Sequence, residues 1–189
     1  KYLLYQDPLG SKFLHYIRTL TTDMDAVYKK LEQAFTKDAA NTDNSLQHSI
    51  AEFYAMMMKT LYYKWRLPLD IWEAYKKADK KALQALIENK IKPLKTVLAE
   101  TAKARRRVWT EECRGFGSEV LDHRFGAMLM RLEVTQEVLA DYIQGKIKQI
   151  DELEEERLDP CPESDKMLEP QAVRYNRALR IMTACRETW

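Results

Sequence analysis

Glycine and proline are scarce in this chain, at five and six among 189 residues. An all-β fold needs a turn every few residues, and so little punctuation argues against one. Cysteine and histidine are scarcer still, at three each. Cys113, Cys161 and Cys185 are odd in number and lack metal-like spacing, so they read as reduced thiols of a cytoplasmic protein and not as a disulfide framework. No apolar run approaches the ~20 residues of a membrane span, and the opening residues show no leader pattern of apolar core and cleavage site. Charge of one sign is also missing. Lys and Arg number 31 against 29 Asp and Glu, which argues against nucleic acid or a membrane surface as the main partner.

What is present is 46% hydrophobic and 32% charged residues, the balance of a folded domain with one sizeable core. Leu, Ala, Lys, Glu and Met are plentiful, and all are good helix formers. The expected fold is all-α: an antiparallel bundle of about five to six helices with an irregular C-terminal tail.

The spacing of apolar residues places the elements. Residues 1–7 read as strand-like, and Asp7-Pro8 as the cap and first position of a short helix reaching Thr19, with Phe13, Ile17 and Leu20 buried. Thr21 or Thr22 caps a second helix with the face Met24, Val27, Tyr28, Leu31 and Phe35. Residues 37–44 form a polar loop. From Ser45 a helix of about twenty residues carries Leu46, Ile50, Phe53, Met57 and Leu61 on one face. Pro68 opens a short helix with Leu69, Trp72 and Tyr75. Asp79 caps a long one reaching Glu112, striped by Leu83, Ile87, Ile91, Leu94, Leu98, Thr101, Arg105 and Val108 and kinked at Pro93. Ser118 caps the last long helix, with Leu121, Phe125, Met128, Leu132, Thr135, Leu139 and Tyr142 at heptad spacing, and Gly145 ends it. Residues 150–158 form one more short helix, and the prolines beyond leave the rest irregular, with Tyr175 to Ala184 ordered only by docking.

A lone strand at 1–7 would leave its backbone groups unsatisfied, so the chain reads as a piece of a larger protein. The expected organisation is an end of a preceding domain or linker at 1–7, the bundle at 8–158, and a tail at 159–189 docking on the bundle or a neighbour.

Catalytic constellations are thin. His48 lies four residues from Glu52 and His123 four from Glu119, but no Glu-x-x-His occurs, so a metal site is not expected. His15 has no such partner. Glu119 and Asp122 at a helix start are favoured by the helix dipole. Lys103, Arg105, Arg106 and Arg107 wrap around their helix, with the acidic run 151–156 available to neutralise them. There is no phosphate loop, nucleophile elbow or CxxC pair. No catalytic residue, metal ligand or cofactor is expected. Trp65, Trp72 and Trp109 fall on apolar faces and read as packing, whereas Tyr175 and Trp189 do not and are candidate contacts with another domain or subunit.

Three segments carry a family resemblance. Lys1-Tyr2-Leu3-Leu4-Tyr5-Gln6-Asp7-Pro8-Leu9 is the first. The second is Gly115-Phe116-Gly117-Ser118-Glu119-Val120-Leu121-Asp122-His123-Arg124-Phe125-Gly126, leading to Arg131-Leu132-Glu133. The third is Ile150-Asp151-Glu152-Leu153-Glu154-Glu155-Glu156-Arg157-Leu158. In order and separation they resemble the C-terminal helical domain of bacterial β-N-acetylhexosaminidases of glycoside hydrolase family 20. Two departures stand out: Gly10-Ser11-Lys12-Phe13 follows Asp-Pro-Leu where the family has an apolar residue and Gly-Leu-Phe, and Arg114-Gly115-Phe116-Gly117 replaces Pro-Phe-Gly. The resemblance implies a (β/α)8 catalytic barrel as partner, a homodimer, and a catalytic Asp-Glu pair that lies in the barrel. Candidate interdomain or subunit contacts are Gly115, Phe116, Gly117, Arg124, Tyr175 and Trp189, glycine being chosen because it permits close backbone approach. A free-standing helical module binding a protein partner is the alternative.

Overall fold

The structure, a computed structural model, describes residues 2–11, 13–113 and 115–155. Among these residues every regular element is helical and no strand occurs. The elements are α1 (Tyr2–Tyr5), α2 (Leu14–Thr19), α3 (Met24–Ala40), α4 (Ser45–Lys64), α5 (Leu67–Lys76), α6 (Lys80–Leu86), a π-turn (Ile87–Ile91), α7 (Lys92–Glu112), α8 (Glu119–Gln144) and α9 (Asp151–Glu154). Over the described residues the chain forms the expected all-α bundle.

The opening segment differs from expectation. Residues 2–5 make a helical turn, not a strand. With no second strand to pair with, a helical turn is the conformation that lets the segment bond within itself. Asp7 does not cap a helix beginning at Pro8. Its Oδ1 accepts the backbone N–H of Leu9 at 2.9 Å and Gly10 at 2.7 Å, a local Asx turn. The Ser11 hydroxyl accepts the N–H of Phe13 at 3.3 Å, so α2 starts only at Leu14.

Caps set the next boundaries. Asp23, not Thr21 or Thr22, accepts the Ala26 N–H and opens α3. That helix runs through Ala40, so the polar cluster expected as a loop from 37 is helical for four more residues; Lys, Asp and two alanines do not interrupt a helix already under way. Asn44 accepts the Gln47 N–H and opens α4. Asp79 accepts the Ala82 N–H and opens α6. Gly145, at φ +76°, ends α8 in the left-handed conformation that glycine tolerates. Ser118 precedes α8 but makes no side-chain cap.

Pro93 does not break the long helix. α6 and α7 run on through the π-turn, in which the Lys92 N–H bonds Ile87 O. A π-turn widens the backbone where proline removes a donor and crowds the preceding carbonyls. Leu83, Ile87, Ile91, Leu94 and Leu98 stay buried along its length.

The core has two parts. The larger joins Leu67, Ile71, Leu83, Ile91, Leu94 and Leu98 to Phe125, Met128, Leu132 and Leu139 of α8. The smaller gathers Phe13, Leu14 and Ile17 with Tyr28, Trp65 and Leu69. The α8 stripe is buried as its heptad spacing predicts at Phe125, Met128, Leu132, Thr135 and Leu139. The α4 stripe is not. Leu46, Ile50, Phe53, Met57 and Leu61 are not fully buried, and the buried positions are Ser49, Ala51, Ala55, Thr60 and Lys64. α3 keeps only Tyr28 fully buried, and Leu31 is exposed.

Candidate interdomain contact site

The glycine junction between α7 and α8 is a tight turn with its apolar side chain outward. Gly117 has φ +91°, a region costly for side chains with Cβ, and a Cβ there would lie 3.5 Å from Trp109 Cζ2. The Glu119 carboxylate accepts the Gly117 N–H at 2.8 Å, and the Ser118 hydroxyl donates to Gly115 O at 2.9 Å. Phe116 is left 90% exposed, the most open of the large apolar side chains among the described residues. Arg124 is half-buried one turn into α8. Gly115, Phe116, Gly117 and Arg124 thus share one end of the bundle; Tyr175 and Trp189 lie outside the described residues.

A second constellation is polar and partly buried. The Arg131 guanidinium of α8 donates from Nε to Asp7 Oδ2 at 2.6 Å and from Nη2 to Asp7 Oδ1 at 3.1 Å. It also donates to Glu152 of α9. Burial alone would raise the Asp7 carboxyl, but the Arg131 hydrogen bonds and charge, with the Gly10 and Leu9 N–H groups, hold it below the usual carboxylate range. For Arg131, burial is likewise outweighed by Asp7 and Glu152, so its proton is held more tightly than usual. Nearby, the Gln6 amide donates to Trp65 O at 2.9 Å and accepts from Ser11 Oγ at 2.9 Å, and Lys64 Nζ donates to Gln6 O at 2.7 Å. Gln6, Ser11 and Lys64 are each 2% exposed. The sequence gives no local signal for these contacts. Periodicity marks Lys64 as the polar end of a helix, and nothing in it couples Asp7 to a residue 124 positions away.

Elsewhere the ionisable groups pair both within and between helices. Arg107 binds Glu52 at 2.8 Å and Lys103 binds Glu100 at 2.9 Å. The described part of the acidic run, which could have neutralised this basic patch, turns elsewhere: Glu152 to Arg131, and Glu154 to Lys76 and the Tyr75 hydroxyl. Lys76 and Tyr75 hold the Glu154 carboxyl below its ordinary range. Trp65 donates to Asp25 at 2.6 Å, Arg18 stacks 5.2 Å over Trp72, and Arg105 stacks 4.8 Å over Trp109. Cys113 is a free, exposed thiol. A surface cleft of about 410 Å³ between α5 and α6 is lined by Asp70, Glu73, Lys77, Asp79, Asn89 and Lys90 above alanines. Burial raises Asp70 against the opposing pull of Arg66 and Lys90. Among the described residues, no three His, Cys, Asp or Glu side chains are placed to hold a metal, and no helix is long and apolar enough to cross a membrane.

These features define a class: a helical domain held by internal ion pairs, with an exposed aromatic at one end. Residues 1–172 match the family model described as Glycoside Hydrolase 20C C-terminal domain, and the chain belongs to that family. No curated protein matches it. It is therefore the C-terminal helical domain of a family 20 glycoside hydrolase, and its partner is that enzyme's catalytic domain.

Proposed function

We propose that this chain is the non-catalytic accessory domain of a cytoplasmic bacterial β-N-acetylhexosaminidase that removes terminal N-acetylglucosamine, and that it braces the (β/α)8 barrel and contributes to a homodimer. The family match over residues 1–172 carries the reading. Phe116 supports the contact role, because an exposed aromatic on a rigid glycine turn is the kind of anchor that interfaces bury. Gly115, Gly117 and Arg124 flank it, and Tyr175 and Trp189 are further contacts proposed from sequence. The test has two arms. The full-length enzyme should hydrolyse a chromogenic N-acetylglucosaminide and this chain alone should not; turnover by this chain alone would overturn the assignment. In the full-length enzyme, Phe116→Ser should lower the dimer fraction in sedimentation or weaken the hold on the barrel. A variant identical to wild type in sedimentation and thermal inactivation removes Phe116 from both contacts.

A further inference from the structure

We infer that residues 2–11 are a rigid strap that fixes the direction in which the catalytic domain joins this bundle, with Arg131 and Lys64 as its two positioning residues. The inference rests on the reading above only in that a catalytic domain precedes this one.

A linker between domains is ordinarily exposed and makes few contacts. This segment is the reverse. Leu4, Gln6, Leu9 and Ser11 are all buried, none more than 7% exposed. Its main chain and side chains are gripped by residues far apart in the sequence. Lys64, at the end of α4, holds Gln6 O at 2.7 Å, and the Gln6 amide reaches back to Trp65 O. One residue on, Arg131 of α8 holds both Asp7 oxygens. The same Asp7 Oδ1 closes the turn over Leu9 and Gly10. Two adjacent residues are thus tied to two different long helices by a buried ammonium and a two-pronged guanidinium. A bidentate Arg–carboxylate pair fixes orientation as well as distance. Simple hydrophobic burial of Leu4 and Leu9 would hold the segment down without setting its angle. Swivelling about residues 6–7 would require stripping both cations of these partners inside the fold, which low-dielectric surroundings make costly. A preceding domain attached at such a point turns with the bundle.

The experiment uses the full-length enzyme with a dye on a single cysteine introduced as Lys37→Cys, on an exposed position of α3 away from the glycine junction, the native cysteines replaced, and time-resolved fluorescence anisotropy as the readout. Wild type should give one slow correlation time, that of the whole molecule. In a Phe116→Ser background, which removes the second contact proposed above and should by itself keep one correlation time, Arg131→Gln and Lys64→Met should each add a faster component and reduce the slow amplitude, while circular dichroism keeps its helical signal. Arg131→Lys, which keeps the charge but loses the fork, should fall between. A merely stabilising role would lower the melting temperature without adding a fast component. Wild type already tumbling as two bodies overturns the inference. So do folded Arg131→Gln and Lys64→Met proteins that both keep one correlation time. If Arg131→Gln fails to fold, Lys64→Met carries the test alone by the same two outcomes. Loss or absence of hexosaminidase turnover bears on the function proposed above and leaves this result readable, because tumbling does not depend on activity.

Discussion

Replacing Arg131 with Met keeps most of the side chain's apolar length and removes its charge. Its partner side chain, Asp7, is 10% exposed, and Arg131 itself 21%. Removing one member of a buried pair costs ~3–5 kcal/mol, most of it the desolvation of the charge left behind. Two effects reduce that figure here. Asp7 keeps the N–H groups of Leu9 and Gly10, and the outer contact to Glu152, 43% exposed, is screened by solvent and contributes little. About 2–3 kcal/mol remains at neutral pH, a fall in melting temperature of about 5–10 °C for a chain of this size. The pH dependence has a definite sign. In the native protein the Asp7 carboxyl is held below its ordinary value, so its contribution is present above the unfolded pKa of ~3.9 and is lost as pH falls through the folded value. Without Arg131, burial dominates and protonation relieves the stranded carboxylate. The gap between wild type and Arg131→Met should therefore narrow as pH falls from above the ordinary carboxylate range through the lowered wild-type value. Urea unfolding followed by circular dichroism at pH 7 and near pH 3.5 reads both quantities. A loss under about 0.5 kcal/mol at pH 7, typical of a surface site, or a gap that widens in acid, would refute the reasoning.

Three further outcomes follow from single contacts. Thr60 and Thr101 share a buried 2.7 Å hydrogen bond; Thr101→Val should cost ~1–2 kcal/mol by leaving Thr60 short of a partner, and the double valine variant should recover part of that in a mutant cycle. Gly117→Ala, at φ +91°, should lose ~1–2 kcal/mol to backbone strain, whereas Gly126→Ala, within α8 and facing open space, should gain ~0.5–1 kcal/mol; opposite signs in thermal melts are the check. The Tyr28 hydroxyl is pushed up to about 12 by burial and the neighbouring Tyr16. Because the folded state keeps that proton after the unfolded state has lost it, stability should fall as pH rises above about 10. Ultraviolet titration should show a late-ionising tyrosine that Tyr28→Phe removes.

What the sequence revealed depends on how each helix is packed. α8 buries one side only, and its heptad stripe from Phe125 to Leu139 names its core positions directly. α4 lies against both α3 and α7, and a helix flanked on two sides uses small residues where backbones come close. Ser49, Ala51, Ala55 and Thr60 are among its buried positions, and none of them stands out in a hydrophobicity pattern. Its most regular apolar stripe, Leu46 to Leu61, marks a half-open side instead. Local rules succeeded where a single cap decides, at Asp79 and Gly145. They failed at Asp7, where the same residue type serves a turn and a distant arginine together.

The contact that defeats the local rule at Asp7 also links the motif segments to one another. Asp7, Arg131 and Glu152 belong to three separate segments of the resemblance, and in the structure they are one ion cluster. Periodicity cannot find such a cluster, because its members are not neighbours on any helix. The three motif segments contain it, one member each, and the fold brings them to one arginine fork. The cluster joins the N-terminal strap, α8 and α9, and so ties the point where a preceding domain would attach to the longest helix of the bundle. On the inference drawn above, its place in the domain serves attachment as well as stability: replacing all three members together by packed hydrophobic residues would hold the bundle about as well, but it would not set the angle at which the chain arrives.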